Sequence, residues 1–388
     1  MEVYDIQNGR ADLRKGGPED PVRRMGKTEI SGAADAEGGN LVQNKVEAVI
    51  QTIDPEKLSD AERDRLIENL FYRLPRNEQQ VWDLNLEKDE KMLAVKEHLQ
   101  EELLRLSEGK PADREVRAGL YTICEMLAQR ALMQKDLKKL TSVMGSWKKL
   151  IDEDQTKHVL RGSGEELAAT EESFYTQMQY HLFEGMVHTM HGRDAEAARP
   201  YEDCWMNAIL ALQCTRRLME MQSGQSHPVF YNDRMRHCMN GLSQVMDLYH
   251  RNSDKELSEV QIMEILSVQG ECGTCPGVEQ KTVESAARCL GNAASLCVEH
   301  GDMKHAKELL DECGGQYDFA EMAIYTDAMI GKTLSLEQQR EREVAKKLAA
   351  RCISILDMMT AYGYHGSLSK WKNKLQGIAM NRDMGMVR

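Results

Sequence analysis

Apolar residues recur at helical spacing from Leu41 onward, and this period constrains the fold more than any other feature. In the first stretch Val42, Val46, Val49 and Ile53 fall on one side of a helix. No window alternates apolar and polar residues with a period of two over the length of a strand. Helix formers dominate, whereas there are only 8 Pro residues and 5% aromatic residues, which leaves few strand formers. We therefore predict an all-α protein.

Residues 1–40 differ in composition from the rest of the chain. They mix Gly, Pro and charges of both signs without a helical period, so they cannot bury enough apolar surface to offset their chain entropy. We predict a disordered tail here, either a mobile leader or a segment for recognition, tethering or export. A linker-like stretch, "DEDQTKHVLRGSG", follows later. It separates a predicted N-terminal helical domain, residues 41–158, from a predicted C-terminal helical-repeat domain, residues 159–388.

Polar caps mark the ends of several helices. Ser59 with Glu62, and Ser163 with Glu166, have the spacing of capping boxes. Between them lies "EKDEKMLAVKEHLQEELLRLSEGK", a long, charged amphipathic stretch. Its charges indicate either a solvated outer face or a coiled-coil-like surface for a partner.

The segment from His181 to Cys204, "HLFEGMVHTMHGRDAEAARPYEDC", has small residues at suggestive places. Gly185 lies midway along one predicted helix, and Gly192 lies in a polar turn. Ala197 follows one turn into the next helix, and Tyr201 comes four residues later. This spacing predicts a helical hairpin in which Gly185 and Ala197 form the crossing point.

The segment from Leu290 to Cys313 repeats the same pattern, with Ala294, Gly301, Ala306 and Leu310 in the equivalent places. The two segments resemble helical hairpins of the tetratricopeptide repeat (TPR) family. The resemblance implies a TPR-like α-solenoid, in which each helix pair buries its apolar face against the next. The residues also leave open another α-solenoid or an irregular helical bundle.

The resemblance further implies a binding surface, because the family holds a peptide or a partner helix against the inner face of its first helices. Arg288 and Asn292 would suit a carboxylate or a backbone amide of the partner, unless they are merely solvated. Transferred to this sequence, the predicted partner-binding residues are Gln179, Leu182, Met186, Met190, Arg288, Asn292, Ser295 and Glu299.

Charge and cysteine content restrict the class of protein. The formal net charge of -13 at pH 7 disfavours nucleic acid as a partner, because phosphate binding needs a basic face. The first residues lack an apolar signal core, and no run of about 18 apolar residues occurs, so we expect neither secretion nor membrane insertion. The 10 cysteines are too dilute for a disulfide framework. We therefore predict a cytoplasmic protein.

Two groups of residues have the spacing of chemical sites. Cys272 and Cys275 form a Cys-x-x-Cys pair, which is typical of loop thiols without a role, of a metal or redox site, or of a regulatory thiol. His188 and His191 have the spacing of a metal chelate, but no carboxylate motif completes it. Nucleotide-binding, hydrolase and kinase motifs do not occur. We predict no enzyme activity, no cofactor and no metal.

Together these patterns predict a non-enzymatic scaffold or adaptor that binds a protein or peptide partner in a helical-repeat groove. The alternative is a structural protein of helical-bundle type that self-associates into a homo-oligomer, such as a component of a virus or a secretion system.

Overall fold

Helices account for all the regular structure of the described chain, which confirms the all-α prediction. The computed structural model describes residues 47–73, 80–221, 228–312 and 319–380. The predicted tail, residues 1–40, and Cys313 lie outside the described residues. Within the described residues, no helix combines the length and the apolar character that crossing a membrane requires.

The chain divides into two compact units, unit 1 (Met1–Arg234) and unit 2 (Met235–Arg388). The predicted boundary between residues 158 and 159 falls inside unit 1, whose buried core includes residues on both sides of it. From residue 60 onward, the α-helices of unit 1 are α1 (Asp60–Glu68), α2 (Glu90–Ser107), α3 (Arg114–Gln134), α4 (Leu137–Asp152), α5 (Gly164–Met190), α6 (Asp194–Met221) and the first residues of α7 (Pro228–Val245).

Local hydrogen bonds explain where these helices begin. At the start of α5, the Ser163 hydroxyl accepts the Glu166 N–H at 3.3 Å, and Glu166 Oε2 accepts the Ser163 N–H at 2.9 Å. Ser59 and Glu62 form the same capping box at α1. The predicted boxes are therefore confirmed, and each supplies partners for N–H groups that a helix start leaves without an acceptor.

The core of unit 1 forms where these helices pack on each other. Trp147 of α4 is buried, and its ring centroid lies 6.0 Å from those of Tyr180 and Phe183 on α5. Where α3 meets α1, a Cβ atom on Gly119 would lie only 2.5 Å from Ile67 Cγ2. The missing side chain of Gly119 therefore allows the two helices to approach closely.

One ion pair of unit 1 is almost completely buried. Lys96 of α2 bonds to Glu87 through its Nζ atom, and the side chains are only 2% and 4% exposed. Nearby on α2, the Gln100 amide donates to the Trp82 carbonyl at 3.0 Å. The segment before α2 is thus held to that helix by polar contacts inside the unit.

Helices α5 and α6 form the hairpin predicted for residues 181–204. The turn closes as a Schellman motif, with Gly192 at φ +68° and the Arg193 N–H bonded to the His188 carbonyl at 2.9 Å. At the predicted crossing point Ala197 is buried, and Gly185 packs against the ring of Tyr201. A Cβ atom on Gly185 would have its three nearest neighbours in that ring, with Cε1 at 2.6 Å.

The lengths of α5 and α6 separate this hairpin from the TPR pattern. They contain 27 and 28 residues, whereas a 34-residue repeat of two helices leaves about 14 residues for each. The resemblance is therefore confined to the residues around the turn.

Unit 2 continues with helices of the same kind. They are the remainder of α7, α8 (Glu259–Thr274), α9 (Gln280–His300), α10 (Met303–Glu312), α11 (Ala320–Gln338), α12 (Arg342–Ala361) and α13 (Lys372–Ala379). The second predicted hairpin is formed by α9 and α10. Its turn is again a Schellman motif, with Gly301 at φ +88° and the Asp302 N–H bonded to the Cys297 carbonyl at 2.8 Å.

Candidate functional site

A small cleft in unit 1, lined by aromatic and polar side chains, is the candidate site. It opens between α3, α4 and α5, and its cavity volume is about 20 Å³. The side chains that shape it are Tyr121, Thr122, Glu125, Trp147, Glu172, Tyr175, Thr176, Gln179 and Arg234.

Helical spacing brings most of these side chains together. On α5, Glu172, Tyr175, Thr176 and Gln179 stand at positions i, i+3, i+4 and i+7, so they share one face. On α3, Tyr121 and Glu125 are four residues apart and face the same cleft. The walls are therefore supplied by regular helices rather than by loops.

Arg234 of α7 lies on one wall of the cleft. Its guanidinium carbon is 3.7 Å from the centre of the Tyr175 ring, the geometry of a cation–π contact. Its Nε atom is also 3.7 Å from Glu171 Oε1, and these two side chains are 6% and 3% exposed. Thr215 donates a further hydrogen bond to Glu171 Oε1 at 3.3 Å. The Arg234 guanidinium is thus held against the Tyr175 ring and the Glu171 carboxylate.

The aromatic groups of the cleft are also fixed by hydrogen bonds. The Trp147 indole N–H donates to Thr176 Oγ1 at 3.4 Å, and the Gln179 amide donates to the Tyr175 hydroxyl at 3.2 Å. Tyr121 donates to the Leu150 carbonyl at 3.3 Å, and burial raises the pKa of its hydroxyl, which therefore stays protonated. These hydrogen bonds fix the orientation of the groups.

The carboxylates of the cleft belong to a wider polar network. Glu172 Oε2 is 3.2 Å from Nε of Arg114. The buried Glu125 accepts from the Gln129 amide at 3.3 Å, and Gln129 in turn accepts from Asn85 at 2.9 Å. The charged side chains that line the cleft are Glu125, Glu172 and Arg234, so the lining carries one net negative charge.

The four predicted partner-binding residues of α5 have different surroundings. Gln179 lines the cleft, and Leu182 is buried in unit 1. Met186 is half-buried against the core, and Met190 is 40% exposed near the turn. Of the four, Gln179 is the one that belongs to the candidate site.

The other four predicted residues lie in unit 2, on α9. Arg288 is exposed. Asn292 is buried and donates to the Ser243 carbonyl at 3.3 Å and to Asp247 Oδ1 at 3.1 Å. Ser295 is buried as well and donates to Glu299 Oε1 at 3.1 Å. Glu299 also accepts from Nε of Arg251 at 3.0 Å, so Asn292, Ser295 and Glu299 all engage in contacts within the unit.

The Cys-x-x-Cys pair, which one interpretation of the sequence placed in a loop, spans the end of α8. Cys272 is in the last turn of α8, and Cys275 follows the end of that helix; both are buried. The C-terminal end of a helix dipole disfavours a thiolate, whereas redox pairs use the N-terminal end. Across the described ranges, no group of three or more His, Cys, Asp or Glu residues is placed to hold a metal ion.

The histidines of the hairpin each lie close to a different polar group. His181 Nδ1 is 3.0 Å from Glu184 Oε2, and His188 Nδ1 is 3.3 Å from Glu196 Oε2. His191 Nδ1 is 2.7 Å from the Val187 carbonyl. The contacts of His181 and His191 are local to α5 and its end, and only His188 reaches a residue of α6.

Comparisons with known proteins leave the chain without a family. No family model and no curated protein matches it. Among solved structures it is similar to one described as "Circular tandem repeat protein with novel repeat topology and enhanced subunit contact surfaces". The match covers 89% of this chain and 77% of the other at 15% sequence identity, with a TM-score of 0.31. Backbones this different provide no basis for transferring a site.

Proposed function

We propose that the protein is a non-enzymatic scaffold or adaptor that binds a segment of a protein partner. The observation that carries this proposal is the cleft of unit 1, in which aromatic, amide and charged groups are already oriented around a small opening. Groups fixed before binding lose little conformational entropy when a partner arrives. Gln179, which the sequence assigned to the binding face, is one of them.

The size of the cleft suits a protein partner better than a free metabolite. A small-molecule pocket usually encloses a few hundred Å³, whereas this cavity has about 20 Å³. One side-chain end can enter it while the rest of the partner remains on the surface. The cleft would then fix the position of a longer segment.

A substitution that fills the cleft tests the proposal. Thr122 of α3 is half-buried at the cleft, and its hydroxyl donates to the Ala118 carbonyl at 3.0 Å. Thr141 of α4 is exposed and makes the same kind of bond, to the Leu137 carbonyl at 2.8 Å. Thr122→Arg places a long cation at the cleft, and Thr141→Arg is its matched control.

Wild type and both variants are immobilised as full-length proteins. Quantitative mass spectrometry then compares the partner proteins that each of them retains. We expect Thr122→Arg to lose partners that Thr141→Arg keeps, while thermal melting shows both variants folded. Equal retention by the two folded variants would contradict partner binding at this cleft.

A further inference from the structure

The cavity is the size of one small polar group. Holding a water molecule requires at least about 10–15 Å³, and the cleft provides about 20 Å³. An ammonium group is about as large as a water molecule, whereas a planar guanidinium has three nitrogen atoms and needs more room. Size therefore favours a compact cation over an arginine side chain.

Charge favours a cation as well. Three carboxylates and two cations lie in or against the cleft: Glu125, Glu171, Glu172, Arg114 and Arg234. One formal negative charge is therefore in excess. Most of the lining side chains are buried, which strengthens the attraction for an added positive charge. A lysine ammonium carries that charge together with three donors, and the carboxylate oxygens and the Thr122 hydroxyl can accept from them.

The aromatic lining provides a third reason. Trp147, Tyr121 and Tyr175 contribute rings to the walls, and rings of this kind attract cations to their faces. Tyr175 already holds one, because the Arg234 guanidinium carbon lies 3.7 Å from its ring centre. The apolar ring edges also suit the four-carbon stem of a lysine side chain.

Building on the proposed function, we infer that the cleft binds the ε-ammonium group of a lysine side chain of the partner. The ammonium occupies the cavity beside Glu125 and Glu172. The aliphatic stem passes between the rings, and the backbone of the partner remains outside.

Trp147 provides a direct probe of occupancy. The full chain contains 4 Trp residues, so protein labelled with 5-fluorotryptophan gives few ¹⁹F signals, and Trp147→Phe identifies the one from the cleft. The titrated probes are Nα-acetyl-lysine methylamide, its Nε-acetylated form and the arginine analogue. We expect the lysine probe to shift the Trp147 signal saturably, the Nε-acetylated form to leave it unchanged, and the arginine analogue to bind at least about tenfold more weakly.

Charge-neutral substitutions identify the ammonium partners. We expect Glu125→Gln to weaken the lysine probe about tenfold, the loss that fits one charge-assisted hydrogen bond. Glu172→Gln, at a less buried position, provides the same test if Glu125→Gln does not fold. Glu184→Gln is the control, because Glu184 is a half-buried carboxylate of α5 that pairs with His181 instead.

Two results would overturn the lysine assignment. One is an arginine analogue that binds as tightly as the lysine probe. The other is a Trp147 signal that no probe shifts, which would mean that the cavity holds water only. If the probes fail while Thr122→Arg still loses partners, the lysine assignment falls and the proposed function stands. If the lysine probe binds while Thr122→Arg keeps every partner, the partner-binding function falls instead.

Discussion

Gly185 is the residue on which the packing of α5 against α6 depends most directly. An added Cβ atom would lie 2.6–2.8 Å from three ring atoms of Tyr201. That ring is buried, and its hydroxyl lies 3.3 Å from Thr189 Oγ1, so it cannot simply turn away. We expect Gly185→Ala to lower the free energy of unfolding by about 1–3 kcal/mol, measured by urea denaturation.

Gly145 provides the matched control for this substitution. It also lies inside a helix of unit 1, but an added Cβ atom there would meet nothing within 4 Å. Gly145→Ala should therefore raise the free energy of unfolding by about 0.5–1 kcal/mol, since alanine favours the helix. Equal effects at the two positions would contradict the close contact between Gly185 and Tyr201.

At the scale of the element, the stability of α5 depends on the hydrogen bonds that cap its first turn. Ser163→Ala removes the hydroxyl that accepts the Glu166 N–H, so we expect a loss of about 1 kcal/mol in the free energy of unfolding. Ser142→Ala, at an exposed position inside α4, should be neutral or slightly stabilising because alanine is the better helix former. Urea denaturation of both variants measures the difference, and a neutral Ser163→Ala would rule out the cap.

The same turn makes part of this stability depend on pH. Hydrogen bonds from the Ser163 N–H and hydroxyl lower the pKa of Glu166 below its usual value of 4.5. A carboxylate with a lowered pKa in the folded state stabilises it above the unfolded pKa, and this contribution disappears as pH falls through the folded pKa. We expect Glu166→Gln to destabilise at pH 7 and to lose that effect progressively as the pH falls below 4.5, measured by urea denaturation across this range.

Helix ends were predictable from sequence because their signals are local. The Ser163 cap and the Gly192 turn lie within a few residues of the bonds that they make. The contact of Gly185 with Tyr201, in contrast, depends on how two helices cross. The cleft was harder still to predict from the sequence, because Glu125 and Trp147 lie within apolar helical patterns. Arg234, moreover, reaches Tyr175 from a helix far along the chain. Only Gln179 was identified in advance.

At the scale of the whole molecule, burial protects the cysteines. All nine described cysteines are buried, and burial raises the pKa of the Cys214 and Cys297 thiols to about 12. Since the thiolate is the reactive form, we expect slow reaction with a thiol reagent at pH 8 in the native protein and fast reaction in guanidinium. A Cys313→Ser background removes the cysteine outside the described residues. Two or more fast native thiols in that background would contradict this expectation and favour a regulatory role.

The buried ion pair between Lys96 and Glu87 also limits which substitutions at these two positions evolution can accept. Losing either partner alone leaves a buried charge uncompensated, which typically costs about 3–5 kcal/mol, whereas replacing both with apolar residues is often neutral. That cost is a large share of the stability of an ordinary domain. Homologous sequences should therefore differ at both positions or at neither, and the two positions should covary in an alignment of homologues.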